Sequence, residues 1–172
     1  MINIDYIRTM ARYNAWQNQS VFDAADTLDD EARNMDRGAF FKSIRGTLSH
    51  LLWGDQIWMH RFSGGPAPAV SSIEASADMT GDWVELRRQR SAMDQVISTW
   101  AQSLDPEWLK DDLTWFSGAA KREVSKPTGF LVMHFFNHQT HHRGQVHAML
   151  TAAGAKPDDT DLFFMTMLHE KI

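Results

Sequence analysis

The chain has 172 residues, 43% hydrophobic and 23% charged, which predicts a single soluble globular domain over residues 1–172. Its 17 Lys and Arg residues are scattered and stand against 22 Asp and Glu, for a formal charge of -5, so a nucleic-acid partner is not expected. The absence of cysteine excludes disulfides, thiolate zinc sites and cysteine nucleophiles. No apolar run approaches the ~20 residues of a membrane-spanning helix and no signal peptide is evident, so we expect a cytoplasmic protein without a membrane partner.

Four long segments carry apolar residues at helical spacing. They are residues 4–28, 41–62, 80–104 and 128–154. Asn3 or Asp5 could cap the first helix, whereas Thr80 and Thr128 are the predicted N-caps of the third and fourth. A short helix is predicted around residues 162–168.

Two connections between these segments differ from ordinary loops. Residues 63–79 are rich in Gly, Pro, Ser and Ala and exceed the usual ~2–8 residues of a helix–helix connection, so they predict a crossover along the length of a bundle. Residues 111–126 alternate in polarity around Ser117-Gly118 and predict a short hairpin or an extended arm. The sequence therefore predicts an all-α fold: a four-helix bundle with a long crossover between the second and third helices and a hairpin or arm before the fourth.

Histidine is concentrated in the fourth predicted helix. Three of its histidines, His134, His138 and His142, follow one another at four-residue steps and therefore share one face, about 6 Å apart. Two imidazoles one turn apart can chelate a metal ion, and a third ligand from a facing helix would complete the site. His50, in the second helix, is that candidate, whereas His134 is either a ligand or a pocket-lining residue. Three further histidines are interpreted as ordinary hydrogen-bonded core residues: His60, His147 and His169.

Glycines interrupt the predicted helices near these histidines. Gly46 and Gly54 lie one turn before and after His50, and Gly144 follows the last chelating position. Each interior glycine costs about 1 kcal/mol relative to alanine, so something should compensate that cost. Space beside an open metal site and close contact with a neighbouring helix would both do so.

Charged and aromatic neighbours leave alternatives open. Asp55 points about 140° away from His50 on the helix, which favours anchoring a neighbouring helix or binding an arginine over metal ligation. Arg143 could pair with an anionic substrate group or with a surface carboxylate. Trp115 and Phe116, on the predicted arm, could line the mouth of a pocket.

The histidine-containing segments resemble those of the DinB-like family, damage-inducible metalloproteins related to thiol-dependent transferases and isomerases. The resemblance rests mainly on residues 50–58 (HLLWGDQIW) and 137–145 (NHQTHHRGQ), with weaker support from residues 13–16 and 154–162. It implies a four-helix bundle, a homodimer packed through helices, and a divalent metal held by three histidines. The family's ligands correspond to His50, His138 and His142, whereas His134 matches a position that is often histidine without being a ligand.

Three nitrogen ligands leave coordination positions for water and substrate, which is typical of catalytic sites, and they suit zinc or nickel. Enzymes similar to this family use a low-molecular-weight thiol as cosubstrate. The first hypothesis is a metal-dependent thiol transferase or hydrolase of small molecules, in which His134 or Arg143 assists proton transfer or anion binding. The alternatives are a non-catalytic metal-binding module of the stress response and a bundle that only dimerises, which would hold no stoichiometric metal.

Overall fold

The computed structural model describes residues 2–118 and 120–167. Its elements in chain order are α1 (Ile4–Asp26), α2 (Asp30–Asn34), α3 (Ile44–Ser63), α4 (Ile73–Ser76), α5 (Trp83–Ser103), a 3-10 helix (Pro106–Lys110), β1 (Asp112–Ser117), β2 (Arg122–Pro127), α6 (Thr128–Ala152) and α7 (Leu162–Met167). The four long predicted helices correspond to α1, α3, α5 and α6. The short helix predicted around residues 162–168 corresponds to α7, and residue 168 lies outside the described residues.

A two-stranded antiparallel sheet precedes α6. It pairs Asp112 with Pro127 at one end and Ser117 with Arg122 at the other, which confirms the predicted hairpin. The chain is therefore mostly helical with a small sheet, and the predicted all-α class is only approximate. In β1 every second side chain is partly buried, and Leu113 and Trp115 pack against the helical core, whereas in β2 only Val124 is partly buried.

The helix starts follow local capping chemistry, with two corrections to the predicted caps. Asn3 caps α1 by accepting a hydrogen bond from the backbone N–H of Tyr6 at 2.9 Å, as predicted. The cap of α5 is Asp82 rather than Thr80. Thr128 is the first residue of α6 and not its cap, because its hydroxyl donates to the carbonyl of Trp108 at 2.8 Å.

The crossover between α3 and α5 is fixed to α3 along its length. The indole N–H of Trp53 donates to the carbonyl of Val70 at 2.7 Å, and the hydroxyl of Ser49 donates to the carbonyl of Ser76 at 2.6 Å. The predicted crossover also contains the short helix α4, which the sequence pattern did not indicate. These contacts bring Ser76 against the middle of α3.

Two apolar clusters fill the interior between the long helices. Both draw buried side chains from α1, α3, α5 and α6. The first contains Ile7, Trp58, Phe62, Ile97, Phe135 and Phe136, and the second contains Phe22, Leu48, Leu52, Leu86, Val146 and Leu150. On every one of the four helices a stretch of polar residues separates the two clusters along the chain.

These separating residues form a buried polar layer. It consists of Asn14, Asn18, Asp55, Arg90, Asp94, Gln139 and Arg143. Arg90 Nη1 donates to Asp55 Oδ2 at 2.6 Å, and its Nη2 lies 2.9 Å from Asp94 Oδ1. Asn18 Nδ2 also donates to Asp94, at 2.8 Å, and Gln139 Nε2 donates to Asp55. Since buried charges need partners, the layer fixes which residues of the four helices face one another.

Within residues 2–118 and 120–167 no helix combines the length and the apolar character that crossing a bilayer requires.

Candidate metal centre

Three imidazoles from two helices converge on one point. His50 projects from α3, and His138 and His142 project from successive turns of α6. One ring nitrogen from each lies within 4.8 Å of the other two, and the Nε2 atoms of His50 and His138 are 3.2 Å apart. Zn–N bonds of about 2.0–2.1 Å place two nitrogens of a tetrahedral site about 3.4 Å apart. The observed spacing therefore fits a shared divalent ion, and the predicted trio is brought together.

Hydrogen bonds orient two of the three rings. His50 Nδ1 lies 2.8 Å from Ser76 Oγ, and that hydroxyl donates its own hydrogen to the carbonyl of Ile73 at 2.5 Å. Ser76 must therefore accept from His50 Nδ1–H, which leaves the Nε2 lone pair directed at the other imidazoles. His142 Nδ1 likewise donates to Gln145 Oε1 at 2.8 Å. Such partners of the remote nitrogen fix the tautomer that a metal requires.

Burial keeps the three imidazoles neutral. His50 and His142 are 4% and 8% exposed, and His138 is half-buried. Burial, with a further effect of the neighbouring histidines, lowers the pKa of both His50 and His138 to about 3. Burial also lowers the pKa of His142. All three rings therefore carry free lone pairs at neutral pH, which is the form that binds metals.

The two glycines that flank His50 are explained by close contacts. A Cβ on Gly54 would lie 2.9 Å from Cε1 of His138, and a Cβ on Gly46 would lie 2.5 Å from the carbonyl oxygen of Phe41. The Phe41 ring in turn stacks on His50 with a centroid distance of 3.8 Å. Close contact with a neighbouring helix, one of the two predicted reasons for interior glycine, therefore applies to Gly54, whereas Gly46 contacts the segment that precedes its own helix.

A partly aromatic wall continues from the trio toward the hairpin. The His134 ring is exposed and lies 6.1 Å from His138 and 5.2 Å from Trp58, measured between centroids. The guanidinium of Arg61 lies 4.7 Å from the Trp58 ring centroid and 5.4 Å from that of Trp115. Burial, followed by the charge of Arg61, lowers the pKa of His134, so this ring is neutral as well. The hairpin thus brings Trp115 to the wall next to the trio.

The model of the DinB family matches residues 1–171. The chain belongs to the DinB family. Protein DinB of Bacillus subtilis (strain 168) is 30% identical over 176 residues, covering 97% of this chain and 98% of its own length. No solved structure matches the chain.

Other predicted site residues of this DinB-family chain lie away from the trio. Asp55 binds Arg90, as predicted, and is not a member of the histidine cluster. Within the described part of the chain Arg143 pairs with no surface carboxylate; it is 5% exposed, and its Nη1 donates to the amide oxygen of Asn14. His60 is exposed and hydrogen-bonded to the carbonyl of Gly65 at 2.6 Å, so its predicted place in the core is wrong.

Two residues of the site, Ser76 and Arg61, were not predicted from the sequence. Ser76 lies 26 residues from His50 in a short helix without periodic signal, so nothing in the pattern linked them. Arg61 had a signal, because it follows Trp58 by three residues and so shares its helix face. His147 is half-buried on α6, and His169 lies outside the described residues.

Proposed function

We propose that this DinB-family protein binds one divalent metal ion, zinc or nickel, through His50, His138 and His142. The observation that carries the proposal is the convergence of three neutral imidazoles, two of which have the remote nitrogen held by Ser76 and Gln145. Imidazole nitrogens suit both metals. Three protein ligands also leave coordination positions open, as in catalytic sites.

We propose further that the site serves a thiol transferase or hydrolase acting on small molecules. A bound divalent metal would supply Lewis acidity and would lower the pKa of water or of a low-molecular-weight thiol cosubstrate. The chain has no cysteine, so a thiol must come from outside it. His134, which is neutral and lies next to the trio, would accept a proton from a bound substrate.

A non-catalytic metal-binding module of the stress response is the second candidate function. The near-complete burial of His50 and His142 favours it, because structural sites are closed to solvent. The two candidates differ in whether a small molecule reaches the metal. The proton-accepting role of His134 applies only to the first candidate.

Elemental analysis of the untagged protein tests the ligand set. We expect about one zinc or nickel per chain, lost in His50→Ala and in the double variant His138→Ala, His142→Ala. His60→Ala on α3 and His147→Ala on α6 are matched controls that should keep the metal, since neither belongs to the cluster. A wild-type protein without metal after reconstitution would overturn the proposal, and metal retained in the double variant would refute the ligands.

Cobalt substitution separates the enzyme from the closed module. Cobalt(II) in a nitrogen site has visible absorption bands that change when a thiolate coordinates. We expect 2-mercaptoethanol to change the spectrum of the cobalt-substituted wild type. An unchanged spectrum at saturating thiol would favour the non-catalytic module.

The architecture and assembly extend the same proposal. The polar layer and both apolar clusters draw on α1, α3, α5 and α6, which supports a four-helix bundle of these helices. The family resemblance supports a homodimer packed through helices, and Val84 and Val96 are apolar side chains exposed on α5. Light scattering coupled to size exclusion should give twice the chain mass, and a monomer at micromolar concentration would contradict the dimer.

A further inference from the structure

A cavity lies on the side of α6 that faces away from the three histidines. Its volume is about 270 Å³, and it is lined by residues of α1, of α6 and of the segment that follows α6. The α6 residues that line it are Thr140, Arg143, Gly144 and His147. At about 100° per residue, their face is roughly opposite that of the histidine ligands. The cavity is therefore separate from the proposed metal site.

Arg143 supplies a buried cation to this cavity. The side chain is 5% exposed, and Nη1 donates to the amide oxygens of Asn14, Asn18 and Gln139. Among residues 2–118 and 120–167, the side-chain hydrogen bonds of Arg143 all come from Nη1, and Nε and Nη2 donate to no described acceptor. No described carboxylate lies within ion-pair distance of the guanidinium. A guanidinium with two free donors on one edge matches a carboxylate in geometry and charge.

Gly144 keeps the cavity open. A Cβ at this position would meet no described atom within 4 Å, in contrast to Gly46 and Gly54, where it would clash. Packing therefore does not require glycine here, although glycine inside a helix costs about 1 kcal/mol relative to alanine. A larger side chain at this position would project into the cavity that Gly144 lines.

The opposite wall is built by α1 and is closed by the segment after α6. The hydroxyl of Tyr13 donates to the carbonyl of Thr160 at 2.6 Å, and Gln17 Nε2 donates to the carbonyl of Asp159 at 2.9 Å. The Tyr13 ring lies 5.8 Å from the guanidinium carbon of Arg143, and Val21 adds an apolar surface. A ligand here would meet a cation at one end and apolar surface at the other.

We propose that this cavity binds a small organic anion, a single carboxylate carried on an apolar body. The carboxylate would accept hydrogen bonds from Nε and Nη2 of Arg143, and the body would lie against Tyr13, Val21 and Gly144. The volume of about 270 Å³ lies just below the range of about 300–1,000 Å³ that holds drug-sized ligands, so the cavity suits a smaller one. The site uses none of the proposed metal ligands, so it stands or falls independently of metal binding.

Benzoate and benzyl alcohol form a matched pair of probes. They share the ring and differ in charge. In calorimetric titrations of the metal-loaded wild type, we expect saturable benzoate binding at least tenfold tighter than that of benzyl alcohol. Equal affinities would overturn the role of Arg143, and the absence of binding for benzoate and for butyrate would overturn the proposal.

Two variants locate the binding site. Gly144→Leu fills the cavity and should weaken benzoate binding at least tenfold, whereas Gly144→Ala should weaken it less. Ala152→Leu, exposed near the end of the same helix, is the control that should bind benzoate normally. Circular dichroism and metal content verify that each variant is folded; if Gly144→Leu is not, the Gly144→Ala titration decides. Unchanged benzoate affinity in the folded Gly144 variants would place binding elsewhere and refute the inference.

Discussion

Replacing Gly54 with alanine tests whether the spacing of α3 and α6 sets the metal site. The new Cβ would lie 2.9 Å from Cε1 and 3.4 Å from Nδ1 of the His138 ring. Ordinary contacts of a Cβ begin at 3.4 Å, so the ring must move by about 0.5 Å. Because metal–ligand distances tolerate only about 0.2 Å, we expect the affinity for zinc to fall at least about tenfold, or about 1.4 kcal/mol.

Although Gly54→Ala should lower the zinc affinity, it should leave the free energy of unfolding unchanged or raise it. Alanine improves helix propensity by about 1 kcal/mol relative to glycine, and the clash is with a side chain that can turn away. The metal-free variant should therefore unfold at a urea concentration equal to or above that of the metal-free wild type. Loss of metal affinity without loss of stability distinguishes displacement of the ligand from damage to the fold.

Competition with a chromophoric chelator measures the zinc affinity, and urea titration measures the free energy of unfolding. Gly144→Ala is the matched control: it makes the same replacement inside α6, where the Cβ would meet no atom of the described residues within 4 Å. Its free energy of unfolding should rise by up to about 1 kcal/mol, and its zinc affinity should equal that of the wild type. Wild-type affinity in Gly54→Ala would refute the reasoning, because the ring would then have room that the structure denies it.

Three further predictions concern the hydrogen-bond partner of His50, the polar layer and a helix cap. Ser76→Ala removes the acceptor of His50 Nδ1–H and should lower zinc affinity about 10–100-fold in the same competition assay. Burial raises the pKa of Asp55 from 3.8 to about 6, so the folded state is more stable when this carboxyl is protonated. The unfolding free energy of the metal-free wild type, relative to Asp55→Asn, should therefore fall as urea titrations move from pH 4 to pH 7, and a rise would contradict this. Asn3→Ala should lower the unfolding free energy by about 1 kcal/mol, and an unchanged urea midpoint would show that this cap is dispensable.

The positions of the long helices could be predicted because apolar periodicity is a local property. The predicted bounds of the first helix, residues 4–28, differ from α1 by two residues at one end. Helix starts were less certain where two capping residues lie close together. Thr80 and Asp82 are both good caps two residues apart, and the structure uses the aspartate. The predicted cap Thr128 is wrong because of a tertiary contact. Its hydroxyl donates to the carbonyl of Trp108 in the 3-10 helix.

The polar layer could not be predicted, because its residues have the spacing of ordinary surface residues. Arg90 and Asp94 are four residues apart, the usual arrangement of an exposed helical ion pair. Their burial depends on Asp55 and Asn18, which come from two other helices. Only Asp55 had a directional signal, since its angle from His50 favoured binding an arginine or anchoring a neighbouring helix over metal ligation. Apolar periodicity therefore does not predict which polar residues of different helices pair with one another.

The polar layer and the histidine trio together fix the rotation of α6. Consecutive residues of a helix point about 100° apart, yet His138 and Gln139 both reach α3, one toward His50 and the other toward Asp55. A rotation of α6 that improved one contact would lengthen the other. The pair therefore holds the helix at one angle before any ligand arrives, which reduces the cost of ordering the imidazoles. Buried ion pairs contribute little to stability, so orientation is the better physical reason for a charged layer next to a metal site.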